Sequence, residues 1–427
     1  MLSTRLLVLL LCATAFVSIA YAAPPPLGGS AGLRRTKATT KVVYGEQSGN
    51  RQRNLEGAEK YLLGDFNGDG RTDILSFRDK FVVFLASVNG AFDEEEVFSG
   101  DCYGGKCSDI IWGTFAEDFN GNGVADILHF GKNLDVWIAK GNGSFHEHHK
   151  ASAASCYGRP CWELPPVHLG DFDGDGMTDI MHLGQNIDVW LAKGDGTFKT
   201  FEWTEDVCYG RPCWELPRVF AGDFNGDAVT DILNIGYNLD VWLSEGNGHF
   251  GSQHYTDGGC YGGSCEKMWK VFVGDFDGDG KTDVLNLGDG LDVWLSKGDG
   301  TFHGVKWTSG VCDGPCYSMS RTAIADFDGD SSMDVLNIGT SLDVFLSKGD
   351  GTFKPRVSTS CGEDCKHCTC VKSVRTGDFN GDGNADAVGF SQDGELVVVW
   401  LSKGDGTFSE PEVVLNGDYR DAGHLPE

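Results

Sequence analysis

The chain is short of positive charge. It sets 34 lysines and arginines against 63 aspartates and glutamates, for a formal net charge of −29. It therefore lacks the basic face that a nucleic-acid partner requires. It also lacks a second long apolar run. Beyond residues 6–19, no stretch approaches the ~18 apolar residues that mark a membrane-spanning helix. No segment carries a helical period. The 61 glycines show no three-residue spacing, which excludes a collagen-like rod and points to many tight turns. No nucleophile motif and no singular His/Tyr/Arg constellation is present, whereas an enzyme needs one asymmetric site.

What is present begins with a processing signal. Arg5 supplies the charged start, Leu6 to Ile19 the apolar core, and Ala20-Tyr21-Ala22 a small-x-small cleavage site. Residues 1–22 read as a signal peptide, so the mature protein is expected to be soluble, secreted and extracellular. Residues 23–40, with Pro24-Pro25-Pro26 and Gly28-Gly29, read as a flexible leader. Cys12 leaves with the signal. Fourteen cysteines then remain, an even number in a secreted chain, and disulfides are the expectation.

An internal repeat decides the architecture. Segments opening Asp-Phe-(Asn/Asp)-Gly begin at Asp65, Asp118, Asp171, Asp223, Asp275, Asp326 and Asp378, at intervals of 51 to 53 residues. In the third copy a cysteine loop (Cys156 to Cys161) leads to an apolar run. The acidic loop Asp171 to Asp179 follows, then the strand Ile180 to Leu183 and a Gln185-Asn186 turn. The strand Ile187 to Ala192 comes next, and Lys193-Gly-Asp-Gly196 turns into a further strand at Thr197-Phe198. Short β-rich runs parted by Gly-Asp and Gly-Asn turns indicate antiparallel meanders. Three or four strands in this length make one propeller blade, which must stack on neighbours to bury its faces. The prediction is an all-β fold, a seven-bladed β-propeller over residues 41–427. Lys41 to Tyr44 is expected as an early strand and Glu412 to Leu415 as the last, the two closing the ring. The alternative, an open β-solenoid, uses shorter repeats.

The acidic loops follow D-x-(D/N)-x-D-G-x-x-D. Oxygen donors at positions 1, 3, 5 and 9, with a carbonyl at position 7 and a glycine for the sharp turn, suit calcium as cofactor. The loops are not EF-hands: position 12 is Ser76 in the first copy and Leu183 in the third, and no helix flanks them. Asp171/Asp173/Asp175/Asp179 and Asp275/Asp277/Asp279/Asp283 offer four carboxylates and are expected to bind tightest. Asp65/Asn67/Asp69/Asp73 and Asp378/Asn380/Asp382/Asp386 offer three. Asp326/Asp328/Asp330/Asp334 has Ser331 where glycine is expected, and Asp223/Asn225/Asp227/Asp231 has Ala228 there. Asp118/Asn120/Asn122/Asp126 carries two charges and is expected to be weakest. Without a cation such clusters repel. Seven divalent ions would cancel about half of the net charge, so much of the acidity reads as metal ligand.

Five repeats carry a close cysteine pair: Cys102/Cys107, Cys156/Cys161, Cys208/Cys213, Cys260/Cys265 and Cys312/Cys316. Each is expected to close a local disulfide contributing about 2 kcal/mol by chain entropy. Cys361, Cys365, Cys368 and Cys370 are expected to form two more, in any of three pairings. Four loops continue Cys-Tyr-Gly, with Tyr103, Tyr157, Tyr209 and Tyr261, and a tryptophan follows each: Trp112, Trp162, Trp214 and Trp269. A pinned loop that presents an aromatic ring beside a second one is a stacking surface for a sugar or a peptide side chain. Packing between blades is the other reading, favoured for these tryptophans. Trp137, Trp190, Trp242, Trp294 and Trp400 lie inside strands and read as core. Asn142-Gly143-Ser144 is an N-glycosylation sequon in a hairpin turn.

The loops DFNGDGRTD and DFDGDGKTD are similar to the FG-GAP/VCBS repeats of integrin α-subunit propellers. The order Tyr-Gly loop, tryptophan, strand, acidic loop, strand and Gly-Asp-Gly-Thr-Phe turn resembles the Psathyrella velutina lectin family over roughly residues 41–415. The resemblance implies seven blades, structural calcium, and sugar sites between neighbouring blades. The expected function is a secreted, calcium-stabilised carbohydrate-binding protein with several equivalent sites, its partners glycans or glycoproteins. The alternatives are an adhesion or protein-interaction propeller, a polysaccharide lyase, and a secreted pathogen effector.

Overall fold

A computed structural model describes residues 61–415, apart from 97–101, 103–106, 111–112, 147–148, 152–155, 158–159, 165–166, 200–201, 205–207, 257–259, 262 and 362–365. The expected signal, leader and Lys41–Tyr44 strand lie outside them. The first repeat shows the common plan: β1 (Tyr61–Gly64), β2 (Asp73–Phe77), β3 (Phe81–Ala86) and β4 (Phe92–Glu96) pair in sequence order, all antiparallel. The plan recurs over residues 61–96, 114–151, 167–204, 219–256, 270–308, 322–360 and 371–415. Each span forms one four-stranded sheet, giving blades 1 to 7.

The core lies between the blades. Seven apolar clusters each draw on two neighbouring repeats, and the seventh joins blade 7 to blade 1. The in-strand tryptophans Trp137, Trp190, Trp242, Trp294 and Trp400 are fully buried there. Glu412–Leu415 pairs with the third strand of its own blade, and side chains close the ring. Tyr61 stacks on Phe390 with ring centroids 5.1 Å apart. Its hydroxyl donates to Gly394 O at 2.5 Å, and Arg375 donates to Tyr61 O at 2.9 Å.

A circle of backbone hydrogen bonds links the acidic loops. The eighth residue of each loop donates its N–H to the carbonyl of the first residue in the preceding loop. Ala125 donates to Asp65, Thr178 to Asp118, Thr230 to Asp171, Thr282 to Asp223, Met333 to Asp275 and Ala385 to Asp326. Thr72 closes the circle on Asp378 at 2.7 Å. Blades 4 to 7 add a second link: Ser244, Ser296, Ser347 and Ser402 donate their hydroxyls to the carbonyl of the loop phenylalanine one blade back. Ala86, Ala139 and Ala192 take that place in the first three blades.

Glycine precedes five of the seven loops, with Glu117 and Ala325 in that place in blades 2 and 6. A Cβ added to Gly222 would lie 2.8 Å from Thr282 Cγ2, inside the contact that carries the ladder. Gly222→Ala is expected to lower stability by about 1–3 kcal/mol through overpacking. Gly304→Ala, where a Cβ meets nothing within 4 Å, serves as the control. Denaturant unfolding of both variants checks this, and equal midpoints would refute it.

Candidate functional site

Two kinds of site occupy opposite ends of the blades. An antiparallel meander puts its first and third connections at one end. Its second connection and the link to the next blade lie at the other. The acidic loops are first connections, and the cysteine loops are links.

Each acidic loop is organised by its own carboxylates. Asp171 accepts N–H bonds from Gly174 at 2.7 Å, Asp175 at 3.1 Å and Gly176 at 2.9 Å. Asp179 is fully buried and accepts from Phe172 at 2.9 Å and from Ala192 at 2.7 Å. The same two bonds recur at Asp73, Asp126, Asp231, Asp283, Asp334 and Asp386. The loop's sixth residue sits in the left-handed region. Ala228 adopts it at φ 70° and Ser331 at φ 75°, in the places where the other loops have glycine.

The donor sets differ as residue chemistry requires. In the asparagine loops the amide supplies its own partner: Asn67 donates to Asp69, Asn225 to Asp227 and Asn380 to Asp382. Asn120 turns to Asp126 at 2.8 Å. The loops with four carboxylates have no such donor. Asp171, Asp173 and Asp179 bring oxygens within 4.8 Å of one another, as do Asp275, Asp277 and Asp279. Asp326, Asp328 and Asp334 do the same, so Ser331 does not prevent the cluster. These three loops can hold a metal ion, and their all-oxygen donor set fits a hard divalent cation. Arg71 pairs with Asp69, Lys281 with Asp279, and Lys354 with Asp328 at 3.3 Å, so three loops also have a side-chain cation at hand.

The fifth-position side chain also accepts a bond within its own loop. Asp175 and Asp330 stand outside the clusters that their own loops form. Both are exposed, and each turns its Oδ1 back onto the loop. There it accepts the N–H of the seventh residue, Met177 or Ser332, at 2.9 Å. Asn122 is exposed too, and its Oδ1 accepts from Val124 N–H at 2.8 Å. Asp279 makes the same bond, from Lys281 N–H at 3.0 Å, and still stands in its loop's cluster, so this bond is compatible with a ligand role at the fifth position.

The cysteine loops carry the exposed chemistry. Disulfides join Cys102–Cys107, Cys156–Cys161, Cys208–Cys213, Cys260–Cys265 and Cys312–Cys316, as the spacing predicts. Each enters an inter-blade core. In the last group Cys361 bridges to Cys368, while Cys370 is exposed and unpaired. That departs from the two bridges expected there. Cys370 ends the short helix Lys366–Cys370 and faces solvent; Cys365 lies outside the described residues.

Among the described residues Tyr157, Tyr209 and Tyr261 are the other positive-φ non-glycine residues, at 56°, 59° and 57°. A bulky side chain is rarely tolerated in that conformation. Each hydroxyl donates to a carboxylate in the middle of the third strand of the blade that follows, Asp188, Asp240 and Asp292. Each ring meets the buried tryptophan two residues further on, with centroids 5.9, 5.8 and 5.5 Å apart. Burial, then the bond to the carboxylate, pushes the Tyr209 and Tyr261 phenols above their usual range. Burial likewise raises Asp292. Across the sheet these aspartates pair with His182, Asn234 and Asn286, and on the outer strand with Trp203, Tyr255 and Trp307. In blade 6, Asp313 replaces the tyrosine, and Arg356 pairs with both Asp313 and Asp343.

The three tyrosines remain partly exposed, and Trp162, Trp214 and Trp269 lie on the surface rather than in the core that the sequence favoured for them. The reason is the turn that follows each disulfide. It is tied by backbone bonds to the blade before, and the indoles extend outward. Tyr103 and Trp112 lie outside the described residues. The sequence reading missed Asp188, Asp240 and Asp292. The signal was an acidic residue recurring inside each Leu-Asp-Val-Trp or Ile-Asp-Val-Trp strand. At the opposite end, Asn142 is exposed and its Oδ1 accepts from the Ser144 N–H and hydroxyl.

Seven four-stranded blades in a closed ring, with an acidic loop at one end of each, define a seven-bladed propeller of acidic-loop repeats. The FG-GAP-like repeat model matches residues 65–129, 171–234, 223–286, 275–337 and 326–389, and the chain belongs to that family. No curated protein matches it. Among solved structures it is similar to a lectin from Agrocybe aegerita, described as recognising non-reducing terminal N-acetylglucosamine. The identity is 24%, the TM-score 0.62, and the match covers 78% of this chain and 85% of that one. It also matches the BP39L lectin of Burkholderia pseudomallei at 14% identity and TM-score 0.49, over 85% of this chain and 97% of that one. At 24% identity the likeness to the Agrocybe aegerita lectin shows the fold alone.

In the metal-free chain, burial lifts Asp73, Asp179, Asp283, Asp334 and Asp386 to about 8 and Asp126 and Asp231 to about 7, against the two N–H bonds that lower them. Unfolded carboxyls titrate near about 4. Raised folded values mean that these seven carboxyls contribute stability that is full below about pH 4 and is lost as pH rises toward about 8. A divalent cation keeps the carboxylates ionised and removes the loss. The gap in Tm between cation-loaded and chelated protein should widen from about pH 5 to about pH 8; an unchanged gap would refute the assignment. Separately, Ala228→Gly should raise stability by about 1 kcal/mol by relieving the left-handed strain. An unchanged or lower unfolding midpoint would count against it.

Proposed function

We propose that the chain is a secreted, calcium-braced propeller that binds carbohydrate through its cysteine-loop end. The observation that carries this reading is the recurring tyrosine. It is fixed by a disulfide and a buried aspartate in a costly backbone conformation, with an exposed aromatic on the same loop. Sugar rings have apolar faces, and rigid aromatic surfaces bind them at low entropic cost. The six disulfides among the described residues fit an oxidising compartment. The Agrocybe aegerita lectin has the same fold, and N-acetylglucosamine is accordingly the first sugar to test.

Calcium is the cation proposed for the acidic loops, with the third, fifth and sixth loops the leading sites. The ion's role is to brace the ring. The loops lie at the far end of the blades from the tyrosines, so calcium supports the ligand surface without touching the ligand.

A glycan array run with calcium should show binding that is reduced about tenfold or more when Tyr157 and Tyr209 are both changed to alanine, at a temperature below the lowered Tm expected once Asp188 and Asp240 lose their phenol partners. Binding that survives both changes would move the site elsewhere. No binding to any glycan with calcium present would overturn the proposal.

A further inference from the structure

The seventh residue of each acidic loop lies against the loop before it. A Cβ added to the fourth residue of the preceding loop would meet that side chain all around the ring. Lys281 Cγ would stand 3.1 Å from such a Cβ on Gly226, Met177 Cγ 3.0 Å from one on Gly121, and Arg71 Cγ 3.1 Å from one on Gly381. The stem at this position is pinned by the neighbouring blade, and only the chemistry of its head changes from loop to loop. The third loop, DFDGDGMTD, and the fifth, DFDGDGKTD, are identical except at this residue, Met177 against Lys281.

In two loops the head is a cation turned back on the fifth residue. Lys281 donates its N–H to Asp279 Oδ1 at 3.0 Å and its ammonium to Asp279 Oδ2. Arg71 donates its N–H to Asp69 Oδ1 at 2.9 Å and its guanidinium to Asp69 Oδ2, while its Nε–H is fixed on Ala86 O at 2.8 Å. One residue thus engages both oxygens of the carboxylate. In the third loop Met177 gives Asp175 only its N–H. The sixth loop has Ser332 at the seventh position and draws its cation from the last turn of the blade, where Lys354 stands 3.3 Å from Asp328 Oδ2. The Asp328 side chain is 10% exposed, and its Oδ1 is buried without a hydrogen-bond partner inside the cluster with Asp326 and Asp334. Lys199, the matching residue of blade 3, is exposed and reaches Asp173 through its field alone.

We propose that Lys281, Lys354 and Arg71 are tethered cations that compete with calcium for the fifth, sixth and first loops, so that the ring takes up the metal in a set order with the third loop first. The inference rests on the calcium reading above. An ammonium that already partners a ligand carboxylate must move before that oxygen can turn wholly to a metal ion, and at such range it repels a divalent cation. The third and fifth loops present the same four carboxylates, so carboxylate count alone would rank them equal. Their difference is one side chain on the same pinned stem. The tethered charge acts in the opposite sense when calcium is scarce. It offsets the repulsion among the carboxylates, so the loops that own one hold their shape without the metal. Arg71 does this at the seam where Thr72 joins blade 1 to blade 7.

Exchanging the two side chains tests this. Calcium is titrated by calorimetry into the chelator-stripped full chain, unaltered and carrying either Lys281→Met or Met177→Lys. Lys281→Met should bring a second site into the highest-affinity class, a gain of about fivefold or more at that loop, and Met177→Lys should weaken the highest-affinity step by a similar factor. Melting adds a readout that packing alone would not move. In chelator Lys281→Met should melt below the unaltered chain and Met177→Lys above it, and in saturating calcium the order should reverse. A side chain that merely packs would shift Tm in the same sense in both conditions, and that result would overturn the proposal. Unchanged calcium affinity in both variants would also overturn it and leave the calcium reading standing. An unaltered chain that binds no calcium would overturn both.

Discussion

One hydrogen bond, repeated around a circle, holds this molecule to its plan. The eighth residue of each acidic loop gives its N–H to the first residue of the loop before it. That first residue is also the aspartate whose carboxylate gathers the N–H groups of its own loop. A single residue thus shapes one loop and receives the next. The bond recurs seven times, so distortion of one loop reaches its neighbours through backbone rather than through soft side chains. The glycines before the loops, the serines of the later blades and the buried ninth-position aspartates all serve this contact.

The circle places the costs at one end and the freedom at the other. Buried carboxylates crowd the loop end, where a bound cation would relieve them. The link end is freed from that duty. Its disulfides enter the inter-blade cores, and its turns hang from the carbonyls of neighbouring blades. Aromatic rings can then stand exposed without being loose. The tyrosines show how firmly the surface is set: three phenols are held in a left-handed backbone by three buried carboxylates.

The repeats are alike in fold and unlike in equipment. Blades 3, 4 and 5 share the tyrosine, the mid-strand aspartate and the cross-strand His or Asn. Blade 6 substitutes Asp313 and Arg356, keeping its aspartate paired while losing the ring. Blades 1 and 7 carry valine where that aspartate stands, at Val82 and Val398. A ring with seven-fold architecture thereby acquires a sided surface.

Much of this was legible in the residues. Seven Asp-Phe-(Asn/Asp)-Gly loops at a 51-to-53-residue spacing state the blade count, because spacing survives in a linear string. The in-strand tryptophans declare the core by their alternation, and five cysteine pairs declare their partners by nearness. The ranking of the loops was partly legible: counting carboxylates singled out the third and fifth, but Ser331 argued against the sixth, whose carboxylates nonetheless converge. Tertiary structure alone decided whether Trp162, Trp214 and Trp269 face core or solvent, since that depends on backbone bonds to another blade. It alone joined Tyr157 to Asp188, Tyr209 to Asp240 and Tyr261 to Asp292, pairs 31 residues apart on different elements. Sequence records what recurs along the chain. Which recurring groups meet is set by the closing of the ring, a contact between residues more than 300 positions apart that no local pattern encodes.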